Sequence, residues 1–397
     1  MEHQHIKIYN GNIITPAGII PNGTILTGGG KILAISDNDI SAPGALLIDA
    51  GGRYISPGFI DIHVHGGGGH DFMDATTEAF LQAAKLHAKY GTTALTPTTL
   101  SCSKEELLNI IMVYEQAKSL NTEGAAFIGL HFEGPYFAMN QRGAQDPRFI
   151  RNPNAAEYTE ILANTSSIVR WSAAPELPGA HEFAEYMVRH GVLPALAHTD
   201  AVYEDVVSGF ASGFTLATHL YSGMNGVIRR GSKRYAGAVE ACFLLEGMGV
   251  EIIADGIHLP PALLKLVYNI KGRHKTALIT DAMRGAGMPP GESILGSKQN
   301  GLPVIIEDGV AKLPDRSAYA GSVATTDLLV RNMVNLAGVP LPDAVTMMSA
   351  TPANIMGIAN KGTLAVGKDA DIILFDGDIS VSTTIVEGRL VFDKRDA

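Results

Sequence analysis

The sequence predicts an α/β fold, a (β/α)8 TIM-like barrel with a small β-sandwich domain built from both termini. Three observations predict it. Eight short apolar runs alternate with helix-like stretches, the pattern of parallel strands buried on both faces. Six of the eight carry a candidate histidine or carboxylate at or near their C-terminal end, and barrel chemistry sits at the C-terminal ends of the strands. Residues 1–55 and 361–397 read instead as short strands broken by turn signals, which leaves 56–360 for the barrel. A doubly wound open sheet would accommodate the runs but would not account for their endings.

In chain order, IKIYNGNIITP and GTILTGGGKILAIS carry strand runs broken by Asn-Gly or Gly-rich turns, as hairpins require. The eight runs follow: FIDIHVH (59–65), TTALTPTT (92–99), AAFIGLHFEGP (125–135), IVRWSAAPE (168–176), VLPALAHTD (192–200), FTLATHLYS (214–222), VEIIADGIHL (250–259) and TALITDAM (276–283). Between them lie amphipathic stretches such as ATTEAFLQAAKLHAKYG and CSKEELLNIIMVYEQAKSL. In the second of these, Ser103 and Glu106 form a capping-box signature. The closing GTLAVGKDADIILFDGDISVSTTIVEGRLVFDK returns to strand-like runs.

Composition narrows the function. A net charge of −10 with no basic helix argues against nucleic acid as a partner. No apolar stretch reaches the roughly 20 residues that span a bilayer, and the start lacks the pattern of a signal peptide. Cys102 and Cys242 stand far apart without metal or redox spacing and read as buried thiols. The expectation is a reduced, cytoplasmic protein.

His63 and His65, two apart on a strand, project to one face. The other runs add Glu133, His198, His219, His258 and Asp281, and a barrel would bring all seven to one mouth. Imidazole and carboxylate donors without thiolates suit a Zn or Fe ion with open positions. Such an ion brings a bound water toward neutral pKa, and Asp281 is placed to act as general base and then as acid toward a leaving nitrogen. His258 could polarise a carbonyl. Amide hydrolysis is the chemistry these groups share. His131, two residues before Glu133, reads as a supporting histidine one layer deeper. His3, His5, His87, His181, His190 and His274 receive no role.

PGFIDIHVHGGGGHDFMD, GLHFEGPYFAMNQRGAQDP, LAHTDA, THLYSGMN, IADGIHLPP, ITDAM and YAGS together resemble the N-acetylglucosamine-6-phosphate deacetylase family of the amidohydrolase superfamily. The resemblance runs nearly end to end. It implies a metal site at Glu133, His198 and His219, with His63 and His65 adding a second ion bridged by Glu133. It also implies Asp281 as the catalytic acid/base, and a sugar pocket lined by Ala144, Ser222, Gly223, His258, Tyr319, Ala320 and Gly321. Relatives usually read HLYNAM where this chain has HLYSGM, and Arg-Glu-Pro-Gly where it has RRGSKRYAG. The phosphate-binding arginine therefore maps onto Arg230, with Arg229 or Arg234 in reserve. The implied partner is a phosphorylated amino sugar, and the implied assembly a homodimer with one or two ions per chain. Three alternatives stand beside this reading: deacetylation of N-acetylgalactosamine 6-phosphate or another N-acylated amino sugar, a different amide or ring hydrolase, and a non-catalytic barrel scaffold.

Overall fold

The computed structural model describes residues 5–394, so His3 lies outside the described residues. Each apolar run forms a strand: β1 Phe59–Val64, β2 Thr92–Pro97, β3 Leu130–Glu133, β4 Ile168–Ala173, β5 Leu193–Leu196, β6 Leu216–Ala217, β7 Gly249–Ile252 and β8 Thr276–Leu278. The strands β3 to β8 form one sheet in sequence order, every neighbouring pair parallel. A second parallel sheet holds β1, β2 and the short Ala126–Phe127. A parallel bridge between Thr98 and His131 joins the sheets on one side. On the other, Asp281 N donates to His63 O at 2.9 Å and His65 N to Ala282 O at 2.8 Å. The result is a parallel-strand α/β half-barrel. All six residues of β1 and of β2 are buried, which explains why these runs are continuous rather than alternating.

Helices cover the strands. Thr77–Ala88 is capped by Thr76 Oγ1, which accepts from Ala79 N at 3.2 Å. Lys104–Leu120 carries the expected capping box, with Ser103 and Glu106 each accepting from the other's backbone N–H. The core between helices and strands includes Trp171, stacked on Tyr136 at 5.6 Å with Phe183 against its edge. Both cysteines are buried and unpaired, and burial pushes the Cys242 thiol up to about 12.

Both ends of the described chain meet in one continuous eight-stranded sheet. Tyr54–Pro57 pairs with Ile6–Thr15 on one side and with Ile372–Phe375 on the other. The Asn-Gly steps correct the sequence reading, because neither turns the chain. Asn10-Gly11 and Asn22-Gly23 lie inside one long hairpin, where Gly11 pairs with Gly23 across bulged register. Asn10 and Asn22 take φ of 59° and 50°, so these steps were bulges written in turn chemistry. The hairpin itself turns between Thr15 and Gly18.

The sequence reading also overlooked an antiparallel insertion after β8, comprising Gly291–Leu295, Leu302–Glu307, Val310–Lys312 and Tyr319–Ser322. Arg284 ties it to the loop behind β1. Its guanidinium donates to Ile294 O at 2.8 Å, to Gly69 O at 3.2 Å and to both carboxylate oxygens of Asp74, at 2.9 and 3.1 Å. Burial raises the Asp74 carboxyl, but Arg284 and the backbone N–H of Lys298 outweigh it and hold the folded pKa low. A carboxyl depressed on folding contributes stability above its unfolded pKa of about 4 and loses it as pH falls through the folded value. Asp74→Asn should therefore cost about 2 kcal/mol at pH 7. The gap from wild type should close in strong acid, as urea unfolding at the two pH values would show.

Candidate active site

The strand ends place the donor side chains together. His198, His219 and Asp281 each leave their strand with positive φ, at 44°, 31° and 49°. Non-glycine residues take that conformation only where the surroundings impose it, and here it aims three side chains at one point. Glu133 is the hub. Its Oε1 lies 2.9 Å from His219 Nε2, 3.4 Å from His198 Nε2 and 3.6 Å from His63 Nε2, while its Oε2 lies 3.4 Å from His65 Nε2. Asp281 Oδ1 approaches His65 Nε2 at 3.1 Å and His63 Nε2 at 3.4 Å.

These contacts define two donor sets, His63–His65–Glu133 and Glu133–His198–His219, each with ligand atoms within 4.8 Å of one another. The donor chemistry fits a divalent cation. His198 Nδ1 is held by the Gln141 carbonyl at 2.7 Å, so it donates there and leaves the Nε2 lone pair facing Glu133. The Nε2 atoms of His63 and His65 meet at 3.2 Å, an arrangement that a shared cation would satisfy. Burial raises the Glu133 carboxyl, yet the charge of His63 and hydrogen bonds from His198, His219 and His65 hold it well below the usual range. Asp281 is likewise raised by burial and drawn down further by His63 and His65, so it is ionised at neutral pH.

Around the cluster, Arg170, Glu251 and Gln145 were missed in the sequence, whereas His131 was not. His131 takes the supporting place expected of it, with Thr98 Oγ1 at 3.2 Å, Ser172 Oγ at 2.7 Å and the His63 ring edge-on at 4.7 Å. Below it, Arg170 is buried against Glu251, and Glu251 Oε2 stands 3.7 Å from His63 Nδ1. Gln145 was also missed, although it donates to Glu133 Oε2 at 2.7 Å and accepts from Ser101 N at 2.8 Å. A charge inside an otherwise apolar strand run was the available signal for Arg170 and Glu251; nothing local marked Gln145. His87, given no role, donates Nε2–H to Gly66 O at 2.9 Å and steadies the turn after His65.

Above the cluster opens a cavity of about 320 Å³ whose lining includes Ala144, Ser222, Gly223, His258, Tyr319 and Gly321. His258 Nδ1 is bound by Asp255 at 2.6 Å and its ring packs on Tyr319 at 4.8 Å, leaving Nε2 for a ligand. Gly223 has φ 57°, and a Cβ there would meet His198 Nδ1 at 2.7 Å, a local reason for glycine in HLYSGM. Ala320 is fully buried in a cluster with Met283 and Leu295 and, unlike Leu295, does not line the cavity. Arg230 is exposed on the hairpin Ile228–Arg230/Lys233–Tyr235, where Arg229 pairs with Arg234, and none of the three lines the cavity.

A histidine–carboxylate cluster at the strand ends of an α/β half-barrel is the hallmark of metal-assisted hydrolases. The amidohydrolase family model matches residues 54–391, and the chain belongs to that family. Within it, the chain is similar to the N-acetylglucosamine-6-phosphate deacetylase of Vibrio furnissii, with 35% identity over 85% of this chain and 83% of that protein. It is 30% identical to the N-acetylgalactosamine-6-phosphate deacetylase of Escherichia coli O157:H7, over 95% of this chain and 97% of that one. A mutant N-acetyl-D-glucosamine-6-phosphate deacetylase from Mycobacterium smegmatis, solved with N-acetyl-D-glucosamine 6-phosphate, superposes with a TM-score of 0.90 at 28% identity, covering 98% of this chain and all of that one.

Proposed function

We infer that the protein removes the N-acetyl group from N-acetylglucosamine 6-phosphate, giving glucosamine 6-phosphate and acetate. One observation carries this reading: two donor sets share Glu133 at the floor of a cavity, with the Asp281 carboxylate 3.1 Å from His65. A divalent cation bound there, zinc or iron, would supply a water of lowered pKa and polarise the amide carbonyl. Glu133, His198 and His219 would hold one ion; His63 and His65 with Glu133 would hold a second. Asp281 takes the proton of the attacking water and returns it to the amine nitrogen as the amide C–N bond breaks. The water oxygen leaves in acetate, so the step balances. His258, oriented by Asp255, contacts the substrate oxygen, and the basic hairpin of Arg229, Arg230 and Arg234 supports recognition of the phosphate.

We read the eight strands as a closed barrel over 56–360, supported by the hydrogen bonds that return from Asp281 to His63. Residues 1–55 and 361–397 would then form the second domain, supported by the sheet that joins their strands. A cytoplasmic homodimer is the expectation that composition and resemblance carry. Among the described residues no helix is long and apolar enough to cross a membrane.

Acetate release from N-acetylglucosamine 6-phosphate should be abolished by a chelator and restored by zinc or iron. N-acetylgalactosamine 6-phosphate, the alternative raised by Ser222 and Gly223, is not favoured by the relatives and is assayed in parallel as the control. A metal-loaded enzyme that releases acetate from neither sugar would end this reading.

A further inference from the structure

A second cavity, about 40 Å³, lies behind the active one, and Leu100, Ala144 and Leu295 line both. Its far side mixes Met73, Phe149 and Leu302 with the polar Glu106, Asp146 and Asn300. Leu100 and Ala144 pack against the cluster that contains Leu295, so the wall between the cavities is a close apolar contact. The volume would take roughly two or three water-sized groups.

This wall adjoins the reacting centre. Gln145 joins the Ser101 backbone to Glu133, which sets residues 100–101 and 144–145 beside the donor cluster. In the proposed deacetylation the carbonyl carbon must sit at that cluster, and its methyl is one bond away. The rest of the substrate carries hydroxyls and phosphate and suits Ser222, His258 and Tyr319 on the other sides. The methyl is the apolar end, and Leu100 and Leu295 are the apolar wall.

Resting on that reading, we propose that Leu100 and Leu295 are the specificity-determining residues for acyl-chain length. They hold the enzyme to acetyl by closing off the cavity behind them. Shortening either side chain joins the two cavities and admits a longer chain.

The test compares kcat/KM for N-acetyl-, N-propionyl- and N-butyrylglucosamine 6-phosphate in wild type, Leu100→Ala and Leu295→Ala. An apolar pocket discriminates at least about tenfold per methylene. Wild type should therefore favour acetyl over propionyl by about tenfold or more, and over butyryl, two methylenes longer, by about a hundredfold or more. In each variant the butyryl-to-acetyl ratio should rise at least tenfold, whatever happens to the absolute rates. If Leu100→Ala does not fold, Leu100→Val is read the same way with the propionyl ratio. Wild type that accepts all three chains equally, or ratios unmoved in both variants, would overturn the proposal. Wild type inactive on every chain would instead sink the deacetylase reading itself.

Discussion

Asp281→Asn should lower kcat by about 10²–10⁴, the usual share of a positioned acid/base, while leaving the fold and the bound metal in place. The amide has nearly the shape of the carboxylate and can keep the contacts at 3.1 Å to His65 and 3.4 Å to His63, so the strand end need not rearrange. What it loses is the ability to take a proton. Asp281 lies outside both donor sets, which close on Glu133 with His63 and His65 or with His198 and His219. Metal content should therefore match wild type, and the loss should fall on kcat, with KM moving by less than about threefold. At 1.36 kcal/mol per tenfold this corresponds to about 3–5 kcal/mol of transition-state stabilisation. Steady-state kinetics beside metal analysis decides it. A variant within tenfold of wild type at full metal content would show that another group carries the proton.

The features that prediction uses were legible because they are local. Apolar runs of strand length announce buried parallel strands, and a strand's two-residue period puts His63 and His65 on one face. The convergence of Glu133, His198, His219 and Asp281 followed from a single topological idea, that strand ends meet. Features that depend on distant partners were not legible. Gln145 acquires a role only because the chain returns it to Glu133. The Asn-Gly steps near the start carry turn chemistry, but bulges use the same backbone conformation, and only pairing across the sheet tells the two apart. The insertion after β8 did leave a trace: Asp308-Gly309 joins Leu302–Glu307 to Val310–Lys312 and is a hairpin signature in plain view.

The polar layer under the site yields the second large effect, on stability. Arg170→Met should cost about 3–5 kcal/mol, because it leaves Glu251 as a buried carboxylate without its cation. Arg170 donates to Glu251, to Thr218 Oγ1 at 2.7 Å and to Ile62 O at 3.0 Å, all within the fully buried strand interior. Burial raises the Glu251 carboxyl, and the Arg170 charge is the foremost influence that brings it down. Without that charge the folded pKa rises above the unfolded value of about 4.3. The folded variant then binds a proton that the unfolded chain releases, so its deficit grows as pH climbs from 5 to 8. Pairing the change with Glu251→Leu removes the stranded charge and should recover most of the loss, since buried ion pairs contribute little net stability over apolar packing. Denaturant midpoints of the single and double variants at the two pH values separate this from a simple packing defect. Equal deficits in both variants, independent of pH, would mean that the pair matters for its shape and not for its charge. The double variant also reports on the site: Glu251 stands 3.7 Å from His63 Nδ1, so losing it should loosen the His63–His65 set and leave Glu133, His198 and His219 to bind metal unaided.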